Sequence, residues 1–214
     1  MLEMAWQEGI ERIIATPHFN ADMRADVFAE WNKAYKATCK IARRIDHKFK
    51  IHTGAEIYYD SRIPKLLEKR YPITLNKTKY ILLEFSFDIN MTYLLDALFE
   101  LQILGYLPIM AHIERYQILQ NESNVKNLTN RGIHLQVNAS TLLGKSGTKV
   151  KNLMLNWIQK GYIDFIATDA HGIEVRRPQV RQAIELLDKK VGSHRRELLC
   201  REHFNKMIIG ENLI

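Results

Sequence analysis

Asp169 and His171 stand two residues apart where the apolar run 163–167 ends, in Thr168-Asp169-Ala170-His171. A carboxylate and an imidazole closing an apolar strand are poor core material. Either one, buried without a hydrogen bond, an opposite charge or a metal, is costly. Taken alone the pair is weak evidence, because an Asp there also caps a following helix. Four other apolar runs end the same way: 12–16 leads to His18, 49–52 to Glu56, 80–83 to Glu84 and 108–111 to His112. Only the run 133–137 ends at a weaker ligand, Asn138. Mixed nitrogen and oxygen donors of this kind suit divalent Mn, Fe or Zn. A carboxylate placed between two such ions can bridge them, and two or three ions together polarise a phosphoryl oxygen and supply hydroxide at neutral pH. Arg115, three residues past His112, and Arg176, in the loop after His171, offer the planar fork that matches a phosphate; Arg177 reads as a surface ion pair. His47, His52, His134, His194 and His203 fall on surface helices, inside strands or near the tail and read as structural or solvated.

The elements that must position these groups alternate. Strands are expected at 12–16, 49–52, 80–83, 108–111, 133–137 and 163–167. Helices are expected at 2–9, 26–45, 61–69, 91–104, 125–131, 150–160, 179–191 and 195–209. The helix 26–45 carries Val27, Trp31, Ala34, Tyr35, Thr38, Ile41, Ala42 and Ile45 at helical spacing, an aromatic stripe expected to be core. Short, continuously apolar strands suit a parallel sheet covered on both faces, and the connections are too short for a second domain. The expectation is one domain over residues 1–214. No Gly-x-Gly-x-x-Gly follows a strand and no Walker A motif is present, which favours a barrel over a doubly wound sheet. In a βα barrel the C-terminal strand ends converge on one face, so His18, Glu56, Glu84, His112, Asp169 and His171 would share one cavity.

Composition bounds the remaining classes. With 214 residues, 46% hydrophobic and 26% charged, the chain is long enough for a sizeable core. No apolar run approaches the ~18 residues of a membrane span, and residues 1–9 lack the features of a signal peptide; the cytoplasm is the expected compartment. The formal charge of +7 could steer a phosphorylated substrate. Lys and Arg are interspersed with Asp and Glu, however, and no zinc-finger spacing, RRM signature or basic-aromatic stripe argues for nucleic acid. Cys39 and Cys200 do not make a disulfide framework. Neither opens a Cys-x5-Arg loop, since Ile45 and Lys206 stand where the arginine would, and this disfavours a cysteine-nucleophile phosphatase.

Thr16-Pro17-His18, Gly54-Ala55-Glu56-Ile57-Tyr58-Tyr59, Leu83-Glu84-Phe85, Ala111-His112-Ile113-Glu114-Arg115-Tyr116 and Thr168-Asp169-Ala170-His171 occur in the order found in the PHP (polymerase and histidinol phosphatase) superfamily. Across nearly the whole chain they most resemble its capsule-locus branch, the CpsB/YwqE-type manganese-dependent tyrosine-protein phosphatases of Gram-positive bacteria. The resemblance implies a distorted (β/α)7 TIM-like barrel and a cluster of two or three divalent ions, Mn2+ in the first place. It implies His18, Glu56, Glu84, His112, Asp169 and His171 as ligands, with Glu56 bridging, and Arg115 and Arg176 on the phosphate. The implied reaction is in-line hydrolysis of protein phosphotyrosine without a phosphoenzyme. The phosphoprotein would be a cognate bacterial tyrosine kinase that regulates exopolysaccharide synthesis. Phosphotyrosine carries a good leaving group, so no general acid stands out; Asp169 or a metal-bound water could donate the proton.

One departure stands against this pattern. The family begins with a strand carrying His-x-His, whose two rings share a strand face. This sequence contains no His-x-His and opens inside the helix that should follow. The expectation is a PHP fold lacking its first strand, through truncation, a misassigned start or gene decay. Two strand edges would be unpaired, one metal under-coordinated and the activity of the chain as given weak or absent. The exposed edges would also make a homo-oligomer possible. Competing readings are a phosphoesterase of the histidinol-phosphate type and a catalytically dead module that binds phosphotyrosine or the kinase through the arginines.

Overall fold

Eight short strands, all paired in parallel, form a two-stranded and a six-stranded sheet that run on into one curled layer in the computed structural model, which describes residues 1–69 and 71–213. They are β1 (Arg12–Ala15), β2 (His18–Phe19), β3 (Lys50–Thr53), β4 (Glu56–Tyr58), β5 (Tyr80–Glu84), β6 (Leu107–Met110), β7 (His134–Asn138) and β8 (Phe165–Ala167). β1 pairs with β3, and the order of the rest is β2-β4-β5-β6-β7-β8. β1 and β2 are two segments of one stave, as are β3 and β4, so the eight strands make the six staves expected. Pro17 explains the first interruption, because it has no N–H for the ladder. Its carbonyl still accepts from the Glu56 amide at 3.0 Å, which carries the pairing across the break. Gly54 sits at the second interruption. A Cβ there would lie 2.7 Å from Leu75 Cδ2 and 3.0 Å from Ile14 Cγ2, so the close approach of these segments needs a residue without a side chain.

Strand periodicity divides the core and aims the site. In β5, Ile81 and Leu83 face the helices, whereas Tyr80 and Leu82 face the inside of the curl. Glu84 continues that inward row at the C-terminal end. Ile109 and Phe165 pack in the same inner cluster as Tyr80 and Leu82, with Ala111 and Met207 beside them. The outer layer packs Ile57, Ile81, Leu83, Met110, Leu135 and Val137 against the covering helices. Inside the curl the staves are thus apolar at their base and carry chemistry at their tops.

Helices Leu2–Gln7, Val27–Ile45, Met91–Ile103, Glu122–Asn130, Thr148–Gln159 and Arg181–Val191 fall where the periodicity places them. The tail is helical from Ser193 to Ile209, with a π-helical turn at Leu198–Glu202. The stripe of Val27–Ile45 is only half covered: Trp31 and Tyr35 are partly buried, while Ile41 is 50% exposed. This helix overlies the edge of the sheet, so its outer flank has no neighbouring layer to pack on.

The sheet curls into a half barrel and does not close. Among the described residues β1 pairs only with β3 and β8 only with β7, which leaves both outer edges unpaired, as expected. Between them lies a cavity of about 790 Å3, lined on its two sides by Ile13 and Ile14 and by Ile166 and Cys200. The N-terminal helix bridges this opening. Glu8 Oε2 accepts from the amides of Val180 (3.0 Å) and Arg181 (2.9 Å), and the Arg181 guanidinium donates to the Gln7 carbonyl.

Candidate active site

The six expected ligands meet at the C-terminal rim of the sheet and form one continuous chain of contacts. Glu84 Oε1 lies 3.5 Å from His112 Nε2, which is 2.8 Å from Glu56 Oε1. Glu56 Oε2 lies 3.8 Å from His18 Nδ1. His18 Nε2 is 3.2 Å from His171 Nε2, and His171 Nδ1 is 3.7 Å from Asp169 Oδ1. His18, Glu56 and Glu84 each offer a ligand atom within 4.8 Å of the other two. β2, β4 and β5 supply these three at adjacent register positions: His18 pairs with Glu56, and Tyr58, two residues on, pairs with Glu84.

Three side chains reach the rim through backbone that L-residues seldom adopt. His112, Asp169 and Arg176 have φ of 35°, 49° and 53°. A left-handed residue costs roughly 1–2 kcal/mol, and such residues concentrate where function over-determines the backbone. At His112 the left-handed turn breaks the strand alternation directly after Ala111 and starts a short 3-10 turn, Ile113–Arg115.

The donor set fits divalent ions. His112 is 1% exposed and Glu56 5%, and His112 Nδ1 has no hydrogen-bond partner among the described residues. Two carboxylates crowd a single imidazole nitrogen, and two further imidazole nitrogens face each other. Buried carboxylates need a counter-charge. Oxygen and nitrogen lone pairs directed at common points are what first-row divalent ions bind.

Asp169 organises the other side of the rim. Its Oδ2 accepts from Arg115 Nη2 (2.8 Å), from Asn138 Nδ2 (3.0 Å) and from Arg176 Nη2. Burial pushes its carboxyl up, but the Arg176 hydrogen bond and the charges of Arg176 and Arg115 outweigh that, and the net shift is downward. Asp169 Oδ2 thus gathers both guanidinium groups and the Asn138 amide on one oxygen. Arg115 and Arg176 are held side by side. Apart from these bonds to Asp169, no side-chain acceptor meets either guanidinium among the described residues. Arg177 instead donates to the Glu174 carbonyl, outside this cluster.

The remaining histidines lie elsewhere. His134 is paired with Asp164, His203 Nδ1 lies 2.8 Å from the Asp164 carbonyl, His52 contacts Asn76, and His47 is an exposed neighbour of Asp46. Cys200 has no part in this chemistry: burial pushes its thiol up to about 11, the opposite of an activated nucleophile.

Sequence reasoning missed the props. Glu114 is buried, accepts from the Asn138 amide and from Thr141 Oγ1 (3.0 Å), and ties the His112 turn to β7. Burial pushes its carboxyl up. Tyr116 Oη accepts from the Phe85 amide at 2.9 Å and pins the backbone directly after Glu84. Both residues lie in the stretch His112-Ile113-Glu114-Arg115-Tyr116, where a Glu and a Tyr flanking ligands were the available signal.

Residues 1–209 match the family described as capsular polysaccharide synthesis, CpsB/CapC. Tyrosine-protein phosphatase YwqE of Bacillus subtilis (strain 168) is 34% identical over 194 residues, which is 90% of this chain and 76% of that protein. Tyrosine-protein phosphatase CpsB of Streptococcus pneumoniae is 27% identical over 217 residues, 99% of this chain and 89% of that one. Among solved structures, one described as crystal structures of YwqE and CpsB, unique metal-dependent tyrosine phosphatases, superposes with a TM-score of 0.88 at 31% identity. It covers all of this chain and 87% of its own. D-hydantoinase matches with a TM-score of 0.55 at 11% identity, a likeness of fold alone.

Proposed function

Because the chain belongs to the CpsB/CapC capsular polysaccharide synthesis family, we propose that it is a metal-dependent protein-tyrosine phosphatase acting in capsule or exopolysaccharide synthesis. The observation that carries this reading is the unbroken run of contacts Glu84–His112–Glu56–His18–His171–Asp169 beside two paired arginines. The ions would be held by these six side chains, with Glu56, which reaches His112 through one oxygen and His18 through the other, as the bridge. When bound, divalent ions supply a hydroxide nucleophile at neutral pH and polarise the phosphoryl group. Manganese is the ion we assign, on the resemblance to the manganese-dependent capsule-locus phosphatases; the mixed nitrogen and oxygen donors also suit iron and zinc.

The chain's own groups do the rest. Arg115 and Arg176, held by Asp169, present their remaining N–H donors to the phosphoryl oxygens and neutralise charge as it develops there. Asp169 fixes the direction of both forks. A phenol leaves with a pKa of about 10, far below that of an alkyl alcohol, so water can protonate it and no side-chain acid is required. The substrate we assign is phosphotyrosine on a protein, a cognate bacterial tyrosine kinase in the capsule setting, with the cytoplasm as the place of action.

The test compares the purified chain, loaded with Mn2+, on a phosphotyrosyl peptide and on histidinol phosphate. Chelator-sensitive release of phosphate, faster from the peptide, is expected. Preference for histidinol phosphate would move the substrate to small metabolites. Peptide binding that is indifferent to chelator and yields no phosphate would make the chain a binding module.

A further inference from the structure

Phe87 is 46% exposed, although it stands on a braced turn within reach of the most buried part of the site. The brace has three parts. Ile89 donates its amide to the Ser86 carbonyl at 3.1 Å, the Ser86 hydroxyl donates to the Asp88 carboxylate, and Tyr116 Oη holds the Phe85 amide. The ring meets Tyr116 edge-on at 5.5 Å and His112 edge-on at 6.1 Å, and the Arg115 guanidinium carbon stands 6.0 Å from its centroid. An apolar ring placed there contributes little to the core, since the core of this region is already filled by Phe85, Tyr59 and Tyr116. Its open face is available to whatever the arginine holds.

We propose that Phe87 is the specificity-determining residue that recognises the aryl ring of the substrate, so that the site selects aryl over alkyl phosphate esters. This rests on the phosphatase reading. A phosphoryl group on Arg115 places its ester oxygen, and hence the ring of a phosphotyrosine, beside the same guanidinium that Phe87 abuts. Offset or edge-on aromatic contact then adds affinity that a phosphoserine side chain, too short and without a π face, cannot gain. The gain expected from one such contact is roughly three- to tenfold in affinity.

Calorimetric titration reads this without turnover. Matched peptides carrying the non-hydrolysable methylene-phosphonate analogues of phosphotyrosine and phosphoserine are titrated into the Mn2+-loaded unaltered chain, Phe87→Ala and Phe87→Trp, with circular dichroism confirming that each is folded. Phe87→Ala is expected to lose roughly three- to tenfold on the phosphotyrosyl peptide and nothing on the phosphoserine peptide, and Phe87→Trp to restore the difference. In turnover the loss falls on KM and leaves kcat in place. An equal loss on both peptides assigns Phe87 a structural role and overturns the proposal, as does no loss on either. If the unaltered chain binds no phosphotyrosine at all, the phosphatase reading fails first, and the ring contact falls with it.

Discussion

His18 and His171, 153 residues apart in the chain, bring their Nε2 atoms to 3.2 Å from each other. One sits on β2, the other beyond β8, and among the described residues no strand pairing joins these two staves. Two imidazole nitrogens at this distance share either a proton or a cation, and two protonated rings would repel. The pair closes the chain of candidate ligands across the open side of the sheet, so on the proposed reading its loss should be felt as lost metal. His171→Ala is expected to weaken Mn2+ binding at least about tenfold by calorimetry. The Mn2+-induced rise in Tm should shrink in step, since a ligand stabilises the fold according to its affinity. His47→Ala, at an exposed ring outside the site, is the control. Equal affinity in both variants would remove His171 from the ligand set.

Arg176 separates holding a phosphate from holding the fold. It is half exposed, donates to Asp169 and accepts the His171 amide through its carbonyl at 2.9 Å. Substitution keeps the carbonyl and leaves Asp169 with Arg115 and Asn138, so the stability change should stay within about 1 kcal/mol. Removal of one charge-stabilising donor should lower kcat/KM by roughly a hundredfold in Arg176→Ala. Arg176→Lys should recover only part, because an ammonium lacks the planar fork. Undiminished kcat/KM in the Ala variant would show that Arg115 alone serves the phosphate.

What was legible in the sequence follows from strand geometry. His18, Glu56, Glu84, His112, Asp169 and His171 could be read because a polar group that ends an apolar strand needs a cap, a partner or an ion, and because parallel staves point their ends the same way. Their grouping of contacts could not be read. His112 departs from strand alternation through a left-handed backbone that no local residue preference announces, and Asp169 and Arg176 do the same without a glycine. The supports were hidden for another reason: Glu114 and Tyr116 act on Asn138 and Phe85, 24 and 31 residues away, and pairing of that range is a property of the packed molecule. The open edge between β1 and β8 was expected, whereas its bridging by Glu8, 172 residues from Val180, was not.

Gly54 links packing to the candidate metal site. Its backbone passes against Leu75 and Ile14 with no room for a branched side chain, and Glu56 follows two residues later on the same stave. Gly54→Val should cost about 1–3 kcal/mol in urea unfolding through overpacking. It should also weaken Mn2+ binding, because relief of the clash displaces Glu56. Gly54→Ala should be milder, since Leu75 Cδ2 is the end of a flexible side chain. Wild-type stability and metal affinity in the Val variant would mean that the segment yields without moving the ligand.

Glu8 gives the fold a pH dependence that does not involve the metal site. Its carboxylate accepts the amides of Val180 and Arg181, and so acts as a remote cap for the helix Arg181–Val191. The Arg181 amide hydrogen bond is the main cause that holds its carboxyl below the usual value; the Val180 amide and the Arg181 charge add to it against a smaller opposing effect of burial. A carboxyl lowered on folding stabilises the native state above its unfolded pKa, and the contribution is lost as pH falls through the folded value. Glu8→Ala should therefore cost about 1 kcal/mol at neutral pH, comparable to loss of an N-cap. The gap between the two proteins in urea unfolding should narrow as the pH is lowered through the carboxylate range and vanish below it. A gap that stays constant with pH would assign the effect to lost packing of the side chain, not to its charge.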